Sequence, residues 1–400
     1  MNALSRYTML DLTHMLSGPY ATMLLTDLGM RTIKIEPPRS GEGTRRLLAD
    51  SPAHAREGVG AYFLTLNRGK ESVAIDLKSD EGRQIFYRLV EKADVVVDNF
   101  AAGVTGRLGI DPEALARVNP RIVTCSVTGF GADGPGARRP AFDLVAQAMG
   151  GGMSLTGEPG GTPMRSGIPI GDLGGGLFAV IGVLSALHDR ERTGKGQHVD
   201  VSMLDAQISM LNYMATMYTM SGEPPRAAGN GHFVHVPYNT FPTASRHIVI
   251  AVIGDAPWPR LLRALDAPHL DTEAYRGQPG RLAAKERIEA EISAILRQHP
   301  IEHWLARLEA ESVPCAPVNG IPEAVADSQV HHRNMMVAMR MHEGEPLSVP
   351  GNPVKLSAQE DPAFRDPAPR LGAHTRTVLR EFLDLPEDTL SRLLAKGAIG

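Results

Sequence analysis

The chain has 400 residues, 42% hydrophobic and 22% charged, with a formal net charge of -4. Such a length exceeds the size at which one core usually stops growing, so two domains are expected. Lysine and arginine are dispersed with no basic stripe, which argues against a nucleic-acid partner, and no uninterrupted apolar run approaches the roughly 18 to 20 residues of a membrane helix.

Met1 to Met9 carries a single Arg6 and none of the zones of a signal peptide, so a cytoplasmic location is expected. Cys125 and Cys315 lie far apart in apolar sequence without CxxC spacing. That suits reduced core thiols better than a disulfide or a metal site.

The first half alternates strand-like and helix-like segments at the spacing of βαβ units, which implies a largely parallel, helix-covered sheet. Tyr7 to Leu12 reads as a strand, Pro19 opens a helix through about Leu28, and Arg31 to Ile35 is a second strand. Val73 to Leu77 is a third strand, and Ser79 caps a helix reaching about Lys92. Ala93 to Asn99 is a buried strand. Asp111 caps a helix over Pro112 to Val118, and Arg121 to Val127 is another β-branched run. A glycine-rich stretch from Gly150 to Gly176 precedes a long apolar helix, Leu177 to about Arg190, closed by Gly194. Gln197 to Met203 and Leu204 to about Met220 add a strand and a helix.

Composition shifts at Ser221 to Gly231, where proline and glycine mark a linker or exposed loop. A small α+β unit follows, with a hairpin over Thr240 to Pro242 and His247 to Ile253 and helices near Trp258 to Leu265, Arg281 to Arg297 and Ile301 to Ala310. Short strands follow Val330, and Ala373 to Lys396 is helical. The expected fold class is α/β: a Rossmann-like domain of residues 1–220 and 331–400, and a smaller α+β domain of residues 221–330.

No GxGxxG, GxxxxGK[ST], HExxH or GxSxG occurs, so dehydrogenase, P-loop, zincin and α/β-hydrolase chemistries lose their main support. What remains is Ile168 to Leu187, IPIGDLGGGLFAVIGVLSAL, with Asp172 as its one acid. An aspartate before a helix ordinarily caps it. Here Gly171, Gly174, Gly175 and Gly176 also clear space for a ligand, and free amides there could meet a developing oxyanion. A carboxylate held against an activated acyl group can form an anhydride.

Eight segments in one order, among them Leu10–Pro38, LNRGKESVAIDLKSDEG (Leu66–Gly82), ADVVVDNFAAGVTGRLG (Ala93–Gly109), FDLVAQAMGG (Phe142–Gly151) and IGDLGGG (Ile170–Gly176), resemble the class III CoA-transferases. That family includes formyl-CoA transferase and carnitine CoA-transferase, with acyl-CoA racemases as relatives. The resemblance covers nearly the whole chain. It implies Asp172 as a nucleophile that carries first the acyl group and then CoA. It also implies a CoA groove drawing on Met15, Leu16, Ile75, Lys78, Asn99, Phe100 and Arg107, and an interlocked homodimer. CoA is then a substrate moiety, with no tightly bound cofactor, no metal, and no nucleic-acid or membrane partner.

Two departures follow. Pro37 stands where formyl-CoA transferase has an arginine, leaving Arg39 or Arg45 to supply that charge. No glycine-rich flap lies between Ser221 and Asp255, which disfavours oxalate and formate and leaves shielding of the anhydride to other groups. A dicarboxylate acceptor with succinyl-CoA as donor is the expected reaction. The alternatives are a 2-methylacyl-CoA racemase, which lacks its histidine because Phe142 occupies that position, and a non-catalytic CoA-binding relative. His331-His332 has no third metal ligand at useful spacing, and His232 and His235 are surface or structural residues that could also reach an acceptor carboxylate.

Overall fold

The computed structural model describes residues 2–400. The chain divides into two compact units, one holding everything up to Gly152 together with Arg165–Met220 and Gln329–Gly400, the other Met153–Met164 and Ser221–Ser328. The glycine-rich Met153–Met164 stretch, placed with the large domain from sequence, therefore groups with the smaller unit.

The large unit runs β1 (Thr8–Asp11), α1 (Ser17–Asp27), β2 (Arg31–Glu36), α2 (Ala61–Asn67), β3 (Glu71–Ala74), α3 (Asp80–Val90), β4 (Val95–Asp98), α4 (Val104–Leu108), α5 (Pro112–Val118) and β5 (Val123–Thr128). It continues through α6 (Asp143–Met149), α7 (Ile170–Thr193), β6 (His198–Ser202), α8 (Met203–Leu211) and α9 (Tyr213–Ser221). The six strands form one parallel sheet in the order β3-β2-β1-β4-β5-β6. Strand order reverses between β1 and β4, and in such sheets the crevice for a ligand lies beyond the carboxyl ends at that point.

Local signals account for much of this. The VVVD of β4 is buried at every position, as a strand covered on both faces requires. Ser79 accepts a hydrogen bond from the Gly82 amide at the start of α3, and Asp111 accepts one from Ala114 at the start of α5.

Two helices depart from expectation. The single helix over Leu204 to Met220 is divided at Asn212, whose φ of 48° interrupts the helical backbone between α8 and α9. Conversely, α7 starts at Ile170 instead of Leu177 and takes its glycines inside the helix. They are there for packing: a Cβ at Gly176 would lie 2.7 Å from the Ser17 carbonyl oxygen of α1, and one at Gly174 would lie 2.6 Å from the Met210 methyl of α8. Close helix contact offsets glycine's helix penalty of about 1 kcal/mol per residue. By length and composition α7 is also apolar enough to cross a membrane, but Ala179, Val183, Ala186 and Leu187 are buried in the same core as the strands.

The smaller unit has a three-stranded antiparallel sheet in which the expected hairpin, Tyr238–Pro242 and His247–Ala251, is joined by Cys315–Pro317, a strand too short to announce itself. Trp258, Phe241 and Ile288 lie in its core. His232 accepts hydrogen bonds at Nδ1 from the Val234 and His235 amides and stacks on His235, so both histidines shape this unit's own loop. Both cysteines are unpaired. Burial raises the pKa of Cys125 in β5, and Cys315 is only half-buried. The C-terminal helices Thr375–Leu383 and Glu387–Ala395 return to the large unit. There Ile399 bridges to Ile75, and the Gly400 amide donates to the Ala74 carbonyl at the end of β3.

Candidate active site

The floor of the crevice is a buried ionic cluster at the end of β1. Asp11 is inaccessible to solvent. One of its oxygens accepts from the Thr13 amide and hydroxyl at 2.9 and 2.5 Å, the other from Lys70 at 2.8 Å and the Thr22 hydroxyl at 3.0 Å. Lys34 lies 3.8 Å from the same carboxylate and donates to the Thr13 carbonyl at 2.8 Å. Burial alone would raise the Asp11 pKa, but Lys34 and Lys70 override it and hold the group far below its ordinary range. Burial lowers Lys70 to about 8.

This cluster fixes the loop that follows. Asn99 clamps His14 from both sides, accepting its amide at 2.7 Å and donating to its carbonyl at 2.6 Å. Met15 is held at a φ of 59°, unusual for a side-chain-bearing residue, with its amide donating to Glu42 at 3.0 Å. Burial, and then Lys34, lower the His14 pKa.

Two cavities open on this loop. The larger, about 570 Å³, is walled by Leu12, Ile35, Ile75, Phe100 and Leu108, with Lys78 and Arg107 on its rim. Its walls follow the carboxyl ends of β1 to β4. Both rim cations are exposed, and among the described residues neither has a carboxylate partner. A slot with apolar walls and free cations at its edge suits a long thioester bearing phosphates. The smaller cavity, about 300 Å³, is lined by Met15, Tyr62, Asn99, Arg139, Phe142 and Asp172 among others, and shares His14 and Phe100 with the first.

Asp172 occupies the first turn of α7 and is not that helix's cap. The cap comes from another element: Asp143, at the start of α6, accepts from the Gly171 and Asp172 amides at 2.8 and 3.2 Å. Gln147 donates to the other Asp143 oxygen at 2.7 Å and accepts the Ser166 amide at 2.9 Å. Asp143 therefore performs the capping that an aspartate before a helix ordinarily supplies, and the Asp172 carboxylate is left to face the cavity. Burial, reinforced by the neighbouring Asp143 charge and opposed by a hydrogen bond from Ser17, raises its pKa to about 6. Burial and the nearby Asp172 charge in turn raise Tyr62 to about 12, so its phenol stays protonated.

Several expectations need correction. The first-turn amides of α7 are not free for an oxyanion: Ile170 and Leu173 donate to the Ile168 and Pro169 carbonyls, and Asp143 takes the two between. Leu16 lines neither cavity and packs beside Met23, Leu24 and Leu66. Arg45 is no phosphate ligand, because it is buried, paired with Glu36 at 2.7 Å through two nitrogens, and stacked on Phe63. Arg39 is exposed and lines neither cavity. Ile75, Lys78, Phe100 and Arg107 gather at the larger cavity, Met15, Asn99 and Phe100 beside Asp172. Sequence reading missed Tyr62, Asp143 and Arg139. Only Asp143 carried a local signal, an acid opening a helix inside a recognised segment. His331 and His332 end a short helix, and the described residues contain no cluster able to hold a metal.

Comparison with known proteins agrees with this geometry. Residues 4–375 match the model of CoA-transferase family III. The chain is 40% identical to the acetyl-CoA:oxalate CoA-transferase of Acetobacter aceti over 93% of its length and 94% of that protein. It is 37% identical to the succinyl-CoA:mesaconate CoA-transferase of Haloarcula marismortui over 95% and 96%, and 36% identical to the succinate–glutarate CoA-transferase of Agrobacterium fabrum over 95% of each. A crystal structure of a CaiB/BaiF family protein from Brucella suis superimposes with a TM-score of 0.81 at 32% identity, covering 96% of this chain and all of that one. With the family model matched over residues 4–375 and relatives 36–40% identical across nearly the whole chain, the chain belongs to CoA-transferase family III and is a CoA-transferase.

Proposed function

We propose that the enzyme moves CoA from succinyl-CoA to a dicarboxylic acid through covalent intermediates on Asp172. The observation that carries this reading is the Asp172 carboxylate, relieved of capping by Asp143 and facing a cavity that shares two wall residues with the CoA-sized slot. The dicarboxylate is favoured by relatives whose names specify oxalate, mesaconate and glutarate, and the 40% identical relative named for oxalate weighs against the expectation that the missing flap disfavours that acid.

The Asp172 oxygen attacks the donor thioester carbonyl, the C–S bond breaks, and an aspartyl acyl anhydride forms with CoA thiolate. The thiolate attacks the Asp172 carbonyl, releasing the donor acid and leaving an aspartyl-CoA thioester. The acceptor carboxylate then displaces thiolate to form a second anhydride, and thiolate attack on the acceptor carbonyl yields the new thioester and restores Asp172. A carboxylate with a pKa of about 6 is ionised at neutral pH yet more basic than an ordinary aspartate, which favours the first attack. Phe100, Phe142 and Met203 give the cavity apolar walls against water, and Tyr62 supplies a neutral O–H donor.

Incubation with succinyl-CoA followed by borohydride or hydroxylamine should modify the protein on the peptide containing Asp172. A modification mapping elsewhere would remove the covalent assignment. The proposal extends to a Rossmann-like large domain in an interlocked homodimer located in the cytoplasm, supported by the family resemblance and by exposed apolar side chains such as Ile181 and Tyr218. Sedimentation as a monomer at micromolar concentration would contradict the interlocking.

A further inference from the structure

We infer that Arg139 binds the distal carboxylate of the acceptor and so sets the preference for dicarboxylic over monocarboxylic acids. This rests on the acceptor class proposed above and adds the residue that reads it.

The argument begins with charge. A diacid placed with one carboxylate at Asp172 brings a second full negative charge into a cavity that already holds Asp172 and lies beside Asp143. Inside a cavity with apolar walls that charge is costly unless a cation meets it. Most cations near the crevice are already committed. Lys34 and Lys70 belong to Asp11, and Arg45 to Glu36. Among the residues lining the smaller cavity, Arg139 is the one lysine or arginine, and it takes part in no ion pair among the described residues. Its charge is therefore available to a ligand.

The side chain is also directed. Arg139 lies in the loop between β5 and α6, where its amide closes a turn onto the Gly136 carbonyl at 2.9 Å. Its guanidinium lies over the Phe130 ring, 5.2 Å from the centroid. Phe130 in turn packs on Gly136, where an added Cβ would sit 3.4 Å from the Phe130 Cβ. Stacking on an aromatic face restrains a guanidinium while leaving its N–H edge open for a bidentate carboxylate. Arg138 is exposed as well but does not line the cavity.

The test compares glutarate with valerate, acids of equal carbon count that differ by the distal carboxylate, with acetyl-CoA as a donor lacking that group. In Arg139→Gln the ratio of kcat/KM for glutarate to that for valerate should fall by about 10- to 100-fold, the range of one lost charge-assisted pair. Arg139→Lys should fall between it and wild type, because a point charge replaces a fork. An unchanged ratio in Arg139→Gln with wild type active on glutarate, or a rise confined to the KM for acetyl-CoA, would overturn the assignment while leaving the dicarboxylate reading intact. Wild type inactive on every diacid but active on monoacids would remove both.

Discussion

Asp11 and Asp172 are carboxylates withdrawn from water around the same crevice, yet their protonation is driven in opposite directions. Asp11 is completely buried and nevertheless held ionised, because two ammonium groups and two hydroxyls face it. Asp172 is less buried yet more easily protonated, because its burial is not offset by a cation: the neighbouring Asp143 charge adds to the effect and one hydroxyl bond, from Ser17, opposes it. Burial pushes both carboxylates toward protonation, and the partners decide whether that push is overridden, as at Asp11, or left standing, as at Asp172. The paired group serves as scaffold for the His14 loop. The unpaired one retains the basicity that the proposed nucleophilic role requires.

Removing the unpaired carboxylate should have the largest effect. Asp172→Asn keeps the side chain's shape and leaves the cap on Asp143, so the protein should fold while CoA transfer falls by about 1,000-fold or more. Near-normal turnover would place the nucleophile elsewhere.

Breaking the paired site should instead cost stability. Asp11→Asn leaves Lys34 and Lys70 facing a neutral amide, and removal of one partner from such a buried cluster costs about 3 to 5 kcal/mol. Urea denaturation followed by circular dichroism measures this, and a loss below about 1 kcal/mol would mean that the cluster relaxes or takes up water.

The rim cations sharpen the contrast, since Lys78 and Arg107 are charges awaiting a partner. Replacing either with alanine should raise the KM for the acyl-CoA by about tenfold or more. The KM for the acceptor acid should move much less. Equal weakening of both substrates would place these residues outside the CoA slot.

The smallest effects concern pH. In the proposed mechanism the ionised Asp172 attacks, so kcat/KM should rise with pH through about 6 and then level off. The folded pKa lies above the ordinary 3.8, so the native state binds the proton more tightly and loses stability as pH rises from about 4 to 6. After discounting for partial exposure, Asp172→Asn should gain about 1 to 2 kcal/mol at pH 8, and this gain should vanish below about pH 4. Asp143→Asn, which removes the adjacent charge, should move the acid limb of the rate profile below 6. An acid limb unmoved in that variant would show that burial alone raises Asp172.

Sequence by itself determined the alternation of strands and helices and the caps at Ser79 and Asp111. Each depends on hydrogen bonds or side-chain periods spanning a few residues, which local chemistry reads directly. Only the tertiary structure decided which acid caps α7, because Asp143 and Gly171 are 28 positions apart and meet only when α6 packs against that helix end. The same holds for Arg45, drawn to Glu36 across a loop, and for Leu16, which packs beside Met23 and lines neither cavity. The start of α7 at Ile170 was likewise hidden. Glycines there signal a turn by propensity, and contact with Ser17 and Met210 from α1 and α8 makes them helical.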